Sequence, residues 1–92
     1  MTSSRTNAPV ITDNVERQRY ELTVDGEVVG RLTYRRSEGH VHFASTSVLP
    51  SHRGQGLAAQ LVERAVGDAR REDLGISTGC WYVSDWLDAH RV

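Results

Sequence analysis

The sequence has 92 residues, 38% of them hydrophobic and 25% charged, which fits one small globular domain and excludes a second. Its eleven basic residues are all Arg and are balanced by twelve Asp and Glu, which argues against a nucleic-acid partner. No apolar stretch is long enough for a signal peptide or a membrane span, and the single cysteine, Cys80, has no disulfide partner in the chain. We therefore expect a cytoplasmic protein with no membrane partner.

The N-terminal part of the chain divides into a polar segment and a first strand. Residues 1–14 are rich in Ser, Thr and Asn and lack sustained periodicity, which predicts a mobile segment and leaves residues 15–92 as the folded domain. Apolar and polar residues alternate toward the end of Val15–Val24, which is the period of a half-buried strand. Asp25-Gly26 then supplies a tight-turn signal.

Two further strands follow this turn. Glu27–Arg36 has alternating apolar residues and pairs naturally with the first strand as a hairpin. Val41–Leu49 is rich in β-branched and aromatic residues, and Pro50 ends it. The sequence therefore predicts a three-stranded antiparallel meander, whose second strand has on one face Val28, Leu32 and Tyr34.

The second half of the chain changes to a helical period. From Leu57 to about Asp73 the apolar residues recur at helical spacing, with charged residues on the other side. A short strand near Leu74–Thr78 and a second helix over Tyr82–His90 complete the chain. The fold class is thus α+β, a mainly antiparallel sheet with two helices in the order β-β-β-α-β-α.

A loop with two glycines, Arg53–Ala58 (RGQGLA), connects the third strand to the first helix. Unpaired N–H groups and the helix dipole favour an anion at a helix start, and glycines let a ligand approach the backbone. The dinucleotide fingerprint is excluded because its third glycine and downstream acidic residue are missing, and the P-loop because no Lys follows the second glycine. The loop therefore predicts either a diphosphate site or a plain connection.

The same string resembles the acetyl-CoA motif of the GNAT superfamily of N-acetyltransferases. The motif R/Q-x-x-G-x-G/A falls here on Arg53, Gly56 and Ala58. Its context is similar too, because Val48–His52 closes a strand before the loop and an amphipathic helix follows it. Gly79–Val83 looks like the corresponding segment of very small GNAT-like proteins, in which the domain is reduced to its cofactor-binding half.

The resemblance extends over Val15–His90 and implies a minimal GNAT-like, acyl-CoA-binding domain at residues 15–92. In the superfamily, the strand before the loop separates from the next one, so that the pantetheine arm of the cofactor lies in the cleft along the strand edge. The implied cosubstrate is acetyl-CoA, and the implied cofactor-binding residues are Thr46, Val48, Arg53, Gly54, Gln55, Gly56, Leu57 and Ala58.

The resemblance also implies a catalytic candidate, Cys80, close to the thioester end of the cofactor. Three roles stay open for it: a nucleophile that takes the acyl group, an acid, or a wall of the cleft. Small GNAT-like proteins often carry a His and an acidic residue on the strand before the loop, where this chain has Ser45 and Ser47. Tyr82, two residues after the candidate cysteine, is interpreted as a packing residue, with protonation of the departing thiolate as the alternative that the resemblance implies.

No metal site is expected. His40 and His42 share one face of a strand, yet no carboxylate or Cys completes a ligand set at useful spacing.

The resulting hypothesis is an acyltransferase, an acetyl-CoA-dependent N-acetyltransferase for an unidentified amine or protein acceptor, as a monomer or homodimer. The alternative is a non-catalytic CoA-binding or protein-interaction module.

Overall fold

The computed structural model describes residues 8–90. Helix and strand positions agree with the sequence-based expectations to within a few residues, apart from one additional strand at the start. In chain order the elements are β1 (Val10–Asn14), β2 (Arg19–Val24), β3 (Glu27–Ser37), β4 (His40–Val48), a 3-10 turn (Pro50–His52), α1 (Leu57–Arg71), β5 (Gly75–Thr78) and α2 (Trp81–Ala89).

The five strands form one sheet in the order β1-β2-β3-β4-β5. Neighbouring strands are antiparallel except for β4 and β5, which are parallel. A parallel pair needs a crossover connection, and α1 provides it. The expected α+β class, with a mainly antiparallel sheet and two helices, is confirmed.

The core lies between one face of the sheet and α1. Its apolar positions on α1 recur every three or four residues, as the helical pattern predicted. Val83 of α2 is fully buried against the same cluster, so both helices pack on this face. The buried cluster consists of Tyr20, Leu22, Val29, Leu32, Tyr34, Val41, Phe43, Leu57, Leu61, Val62, Ala65, Val66, Ala69 and Val83.

The expectation of a mobile segment over residues 1–14 is wrong for Val10–Asn14, which form the edge strand β1. Tyr34 donates a hydrogen bond of 2.7 Å to Asp13, and Arg64 donates one of 3.1 Å to the carbonyl of Ile11, so β1 is held from both the sheet and α1. The sequence of β1 shows little alternation because none of its five residues is fully buried. Residues 1–7, the rest of the predicted segment, lie outside the described residues.

The start of β2 also differs from the expectation. The sequence placed this strand over Val15–Val24, whereas β2 begins at Arg19, because residues 15–18 turn the chain back from β1. Gln18 closes this turn with a positive φ of 51° and an N–H bond of 3.1 Å to the carbonyl of Val15.

A bulge in β3 changes which valine enters the core. Leu22 pairs with Gly30 and Thr23 pairs with Val28, so Val29 is the extra residue on β3. Val29 is 2% exposed, whereas Val28 is only half-buried. The prediction that Val28 shares the core face with Leu32 and Tyr34 is therefore wrong, because strict alternation does not survive an inserted residue.

A second bulge lies in β4, where Phe43 pairs with Tyr34 and Ser45 with Thr33, leaving Ala44 unpaired. Beyond it, Thr46 lies opposite the buried Leu32 and so faces the helices. The side chains that alternate with these core-facing ones lie on the opposite face of the sheet, which is turned away from both helices. We call it the uncovered face, and it carries Thr33, Arg35, His42 and Ser45.

The strands β4 and β5 separate beyond the same bulge. Their pairing ends with Phe43 opposite Thr78 and a last backbone bond of 3.0 Å from the Gly79 N–H to the Phe43 carbonyl. This point, defined by Phe43 and Gly79, is called the strand fork. In the described part of the chain, Ala44–Val48 has a partner strand only on the β3 side.

Candidate functional site

The loop before α1 has two glycines in the left-handed region. Gly54 has φ of 81° and Gly56, the residue that caps α1, has φ of 75°. Apart from its chain neighbours, a Cβ added at either position would meet no atom of residues 8–90 within 4 Å, so open space lies against both backbones. The sequence-based reason for these glycines, close approach of a ligand to the backbone, fits this geometry.

The N-terminus of α1 is electropositive. No side chain of the described residues caps it, and its first turn contains no acidic residue. The first N–H groups of a helix have no partner within the helix, and its dipole places partial positive charge there. Arg53 lies beside this turn, its Nε donating a hydrogen bond of 3.2 Å to the carbonyl of Val48. This helix start is therefore suited to an anion.

A surface depression joins the loop to the end of β4 and to α2. We call it the α1 cleft, and Tyr82 of α2 forms its far wall. Of the eight predicted cofactor-binding residues it includes six, while Gln55 lines a neighbouring depression with His52 and Gln60. Thr46 lies further along β4, beside Cys80. The cleft is lined by Val48, His52, Arg53, Gly54, Gly56, Leu57, Ala58 and Tyr82.

Cys80 occupies the position just before α2, immediately after the strand fork. Thr78 fixes it there, because its hydroxyl accepts a hydrogen bond of 2.9 Å from the Cys80 N–H and donates one of 2.9 Å to the Phe43 carbonyl. The Cys80 sulfur lies 3.7 Å from the hydroxyl of Thr46. The predicted catalytic residue and the predicted strand edge therefore meet in space.

The environment of Cys80 favours its thiolate. Burial raises the pKa of the thiol, but the N–H of Val83, the Thr46 hydroxyl and further backbone N–H groups lower it by more, so the net pKa is below the ordinary value. The helix dipole of α2 acts in the same direction. The sequence signalled no positive partner for this cysteine, because these groups come together only in the fold.

The two serines at the positions where the resemblance implied a His and an acid lie on the uncovered face. Both Ser45 and Ser47 are exposed, and the hydroxyl of Ser45 lies 2.7 Å from that of Thr33. Neither is a base at neutral pH. His40 and His42, on the same strand, both contact the hydroxyl of Ser77.

Two further observations concern residues 8–90 as a whole. No group of three or more His, Cys, Asp or Glu side chains comes together there in a metal-binding arrangement. No helix in that range has the length and apolar character needed to cross a membrane.

Comparison with known proteins assigns the family. A family model described as GCN5-related N-acetyl-transferase matches residues 19–92, which is most of the chain. The protein therefore belongs to the GCN5-related N-acetyltransferase family. No curated protein sequence matches it.

Solved structures of acetyltransferases share the fold. A GCN5-related N-acetyltransferase from Sphaerobacter thermophilus has 20% identity and a TM-score of 0.61, over 67% of this chain and 21% of that one. A ribosomal-protein-alanine N-acetyltransferase from Brucella melitensis biovar Abortus 2308 has 19% identity and a TM-score of 0.61, over 67% and 48%. An aminoglycoside acetyltransferase from an uncultured soil metagenomic sample has 19% identity and a TM-score of 0.53, over 67% and 44%. The matched part of this chain thus spans less than half of each.

Proposed function

We propose that this protein binds acetyl-CoA in the α1 cleft and transfers the acetyl group to an amine. The observation that carries the proposal is the helix start of α1. It has no side-chain cap among the described residues and no acidic residue in its first turn, and it opens onto the bare backbone of Gly54 and Gly56. The diphosphate of CoA is an anion of the size and charge that such a helix start accepts. The residues present therefore fit the cosubstrate.

Each part of the cleft has a role in holding the cosubstrate. The N–H groups of Gly54–Ala58 and the guanidinium of Arg53 would bind the diphosphate. The amide groups of the pantetheine arm would hydrogen-bond to the Thr46–Val48 edge, which has no partner strand on that side within residues 8–90, much as an added strand does. The ring of Tyr82 would close the cleft from the α2 side.

The reaction requires an activated acyl group, which acetyl-CoA supplies as a thioester when bound. The acceptor amine has to lose its proton before it attacks, and the carbonyl oxygen needs hydrogen-bond donors as negative charge develops on it. Backbone N–H groups on the Ala44–Val48 edge of β4, which has no described partner strand on that side, would be such donors. We assign Cys80 to the thioester end of the cleft as the catalytic side chain there, since its sulfur adjoins the Thr46 edge.

Calorimetric titration tests the binding step. We expect acetyl-CoA and CoA to bind saturably, and NAD⁺, which has a diphosphate but no pantetheine arm, to bind at least about tenfold more weakly, a difference of about 1.4 kcal/mol. Absence of acetyl-CoA binding at millimolar concentration would overturn the proposal.

Turnover then separates an enzyme from the alternative of a non-catalytic CoA-binding or interaction module. Acetylated products from a panel of peptides and small amines are detected by mass spectrometry. The chain contains no lysine, so acetylation of its own side-chain amines does not obscure the result. Acetyl-CoA binding without any acetylated amine would favour the module.

Our proposal also includes a cytoplasmic location, because a reducing compartment keeps Cys80 a free thiol.

A further inference from the structure

Three side chains on the uncovered face form a hydrogen-bonded chain that the acetyl-CoA site leaves unused. The Nε2 of His40 lies 2.9 Å from the hydroxyl oxygen of Ser77, which in turn lies 2.8 Å from the Nδ1 of His42. All three residues are half-buried. In the parallel pairing of β4 with β5, His42 lies opposite Ser77, so one hydroxyl links two imidazoles held on one strand.

The sequence of β5 makes room for these rings. Gly75 and Gly79 flank Ser77 at alternate positions, and therefore on the same face of the strand. A Cβ at Gly75 would lie 2.9 Å from His40 Nδ1, which is too close, and one at Gly79 would lie 3.5 Å from His42 Nε2. Each imidazole thus packs against a glycine, and side chains at these positions would crowd the rings.

The hydroxyl of Ser77 couples the protonation of the two rings. A hydroxyl has one proton, so Ser77 donates to at most one of the two imidazoles and accepts a hydrogen bond from at least one of them. When His42 donates from Nδ1 to Ser77, and Ser77 donates to His40, the Nε2 of His42 keeps a lone pair. This arrangement is also the one that persists when His42 gains a proton, since a protonated imidazole donates from both nitrogens.

The free nitrogen of His42 lies at the strand fork. Its Nε2 adjoins Gly79, the residue that makes the last hydrogen bond to β4 and immediately precedes Cys80. That Nε2 makes no hydrogen bond within residues 8–90. The register places His42 on the uncovered face and Thr46, with the sulfur of Cys80, on the helix side. An acceptor approaching from the uncovered face therefore meets His42 opposite the thioester end of the cleft.

The groups that face His42 come from three strands. Arg35 lies opposite it on β3, and a guanidinium donates hydrogen bonds but has no acceptor. His40 is on its own strand, and β5 contributes only Ser77 and glycines on this face. Among the described side chains facing this position, the imidazoles carry the nitrogen lone pairs that can take a proton from an amine.

We propose that His42 is the general base that deprotonates the acceptor amine, with Ser77 and His40 as positioning residues that keep its Nε2 unprotonated; this inference rests on the proposed acetyl transfer. The N–H bond of the acceptor ammonium breaks, its proton bonds to His42 Nε2, and the electron pair stays on the nitrogen. That nitrogen then attacks the acetyl carbon as the C–S bond breaks. The second proton that the nitrogen loses leaves with the CoA sulfur, and the first passes from His42 Nε2 to water, which restores the unprotonated Nε2.

An experiment that does not depend on turnover tests the geometry. Long-range ¹H–¹⁵N NMR spectra of the full chain report which ring nitrogen of each histidine carries the proton, with the His42→Gln variant supplying the assignment. We expect His42 to carry its proton on Nδ1 in the wild type and the Nε2–H form to become populated in Ser77→Ala. A wild-type His42 protonated on Nε2, or an unchanged tautomer in Ser77→Ala, would overturn the proposal even if acetyl transfer is confirmed.

Kinetics test the catalytic role once an accepted amine is found. We expect His42→Gln to lower kcat/KM by about 10²- to 10⁴-fold and to abolish the acid limb of its pH profile, while acetyl-CoA binding is unchanged. His40→Gln and Ser77→Ala should have smaller effects and alter the same limb. His90→Gln is the matched control, because His90 is stacked on Trp86 at the end of α2 and should leave the profile unchanged. If the fall of kcat/KM at low pH is the same in His42→Gln as in the wild type, the assignment of His42 is overturned. A wild type that acetylates no amine overturns only the proposed function.

Discussion

The sulfur of Cys80 lies 3.7 Å from the hydroxyl of Thr46, and this contact joins the N-terminus of α2 to the open edge of β4. It unites the predicted catalytic residue with the predicted cofactor edge. The contact also lowers the pKa of the thiol, together with the N–H groups of Val83 and Tyr82 and against the effect of burial, which alone raises it. The pH dependence of the thiol's reactivity therefore measures how strongly the contact with Thr46 stabilises the thiolate.

Thr46→Val should raise the pKa of Cys80 by removing the hydroxyl that stabilises the thiolate. We expect the pH midpoint for alkylation by iodoacetamide to be lower in the folded wild type than in the unfolded chain, and to rise in Thr46→Val. Because the chain has one cysteine, a single label is counted. Thr33→Val, which removes a hydroxyl on the uncovered face, is the control. Equal midpoints in wild type and Thr46→Val would show that the contact does not stabilise the thiolate.

Cys80→Ala should strongly slow acetyl transfer without weakening acetyl-CoA binding. The sulfur adjoins the strand edge expected for the pantetheine arm and is absent from the diphosphate part of the cleft. We expect kcat to fall by at least about 10²-fold, the lower range for loss of an acid–base group, with an unchanged Kd by calorimetry. Full activity in Cys80→Ala would leave this residue as a wall of the cleft.

Gly56→Ala and Gly39→Ala form a matched pair that separates backbone strain from ligand contact. The two glycines have φ of 75° and 73°, and beyond the chain neighbours a Cβ at either position meets no atom of the described residues within 4 Å. Each substitution should therefore cost about 1 kcal/mol of folding free energy, measured by urea unfolding. Only Gly56→Ala should weaken CoA binding, because its Cβ would occupy the space at the helix start. Equal CoA affinity in the two variants would contradict a diphosphate site there.

Tyr34→Phe should loosen the edge strand β1. The hydroxyl of Tyr34 donates to the carboxylate of Asp13, and a bond of this kind contributes about 1.5 kcal/mol. A double-mutant cycle with Asp13→Ala, followed by urea unfolding, should give a coupling energy of similar size. Tyr82→Phe is the control, since its hydroxyl makes no hydrogen bond within residues 8–90. Zero coupling would mean that the two residues do not hold β1 in place.

Alkaline pH should destabilise the protein through its buried tyrosines. Burial, and then the hydrogen bond to Asp68, raises the pKa of Tyr20, and burial and Asp13 do the same for Tyr34. A raised pKa in the folded state stabilises the protein fully below the unfolded value, about pH 10, and this contribution is lost as pH rises further. The urea midpoint should therefore fall above about pH 10, and fall less in a variant with both tyrosines changed to Phe. Parallel pH curves for the two proteins would contradict this account.

The amino-acid sequence by itself determined the class of fold and the position of the candidate loop. Helical spacing from Leu57 onward predicted α1 because an amphipathic helix needs one apolar stripe, which is a local property of the chain. Alternating apolar residues predicted β2, β3 and β4 because a strand with one buried face has a period of two residues, which is also a local property. The glycines of Arg53–Ala58 predicted a loop that a ligand approaches closely, and both have the positive φ that a residue without Cβ adopts readily.

Only the tertiary structure decided the features that depend on neighbours distant in sequence. The strand β1 has too few buried residues to produce a pattern, and its place in the sheet depends on contacts from Tyr34 and Arg64. The bulges at Val29 and Ala44 are register shifts between strands, which no single strand encodes.

The chemistry of the candidate site divides in the same way. The sequence supplied Cys80 as a residue, but the groups that lower its pKa come from β4 and α2 and meet only at the strand fork. The link between His40 and His42 likewise requires Ser77 from β5, 35 residues further along the chain than His42. Residue types and local periods are properties of sequence, whereas hydrogen bonds between strands and the pKa values that they set arise when the sheet is assembled.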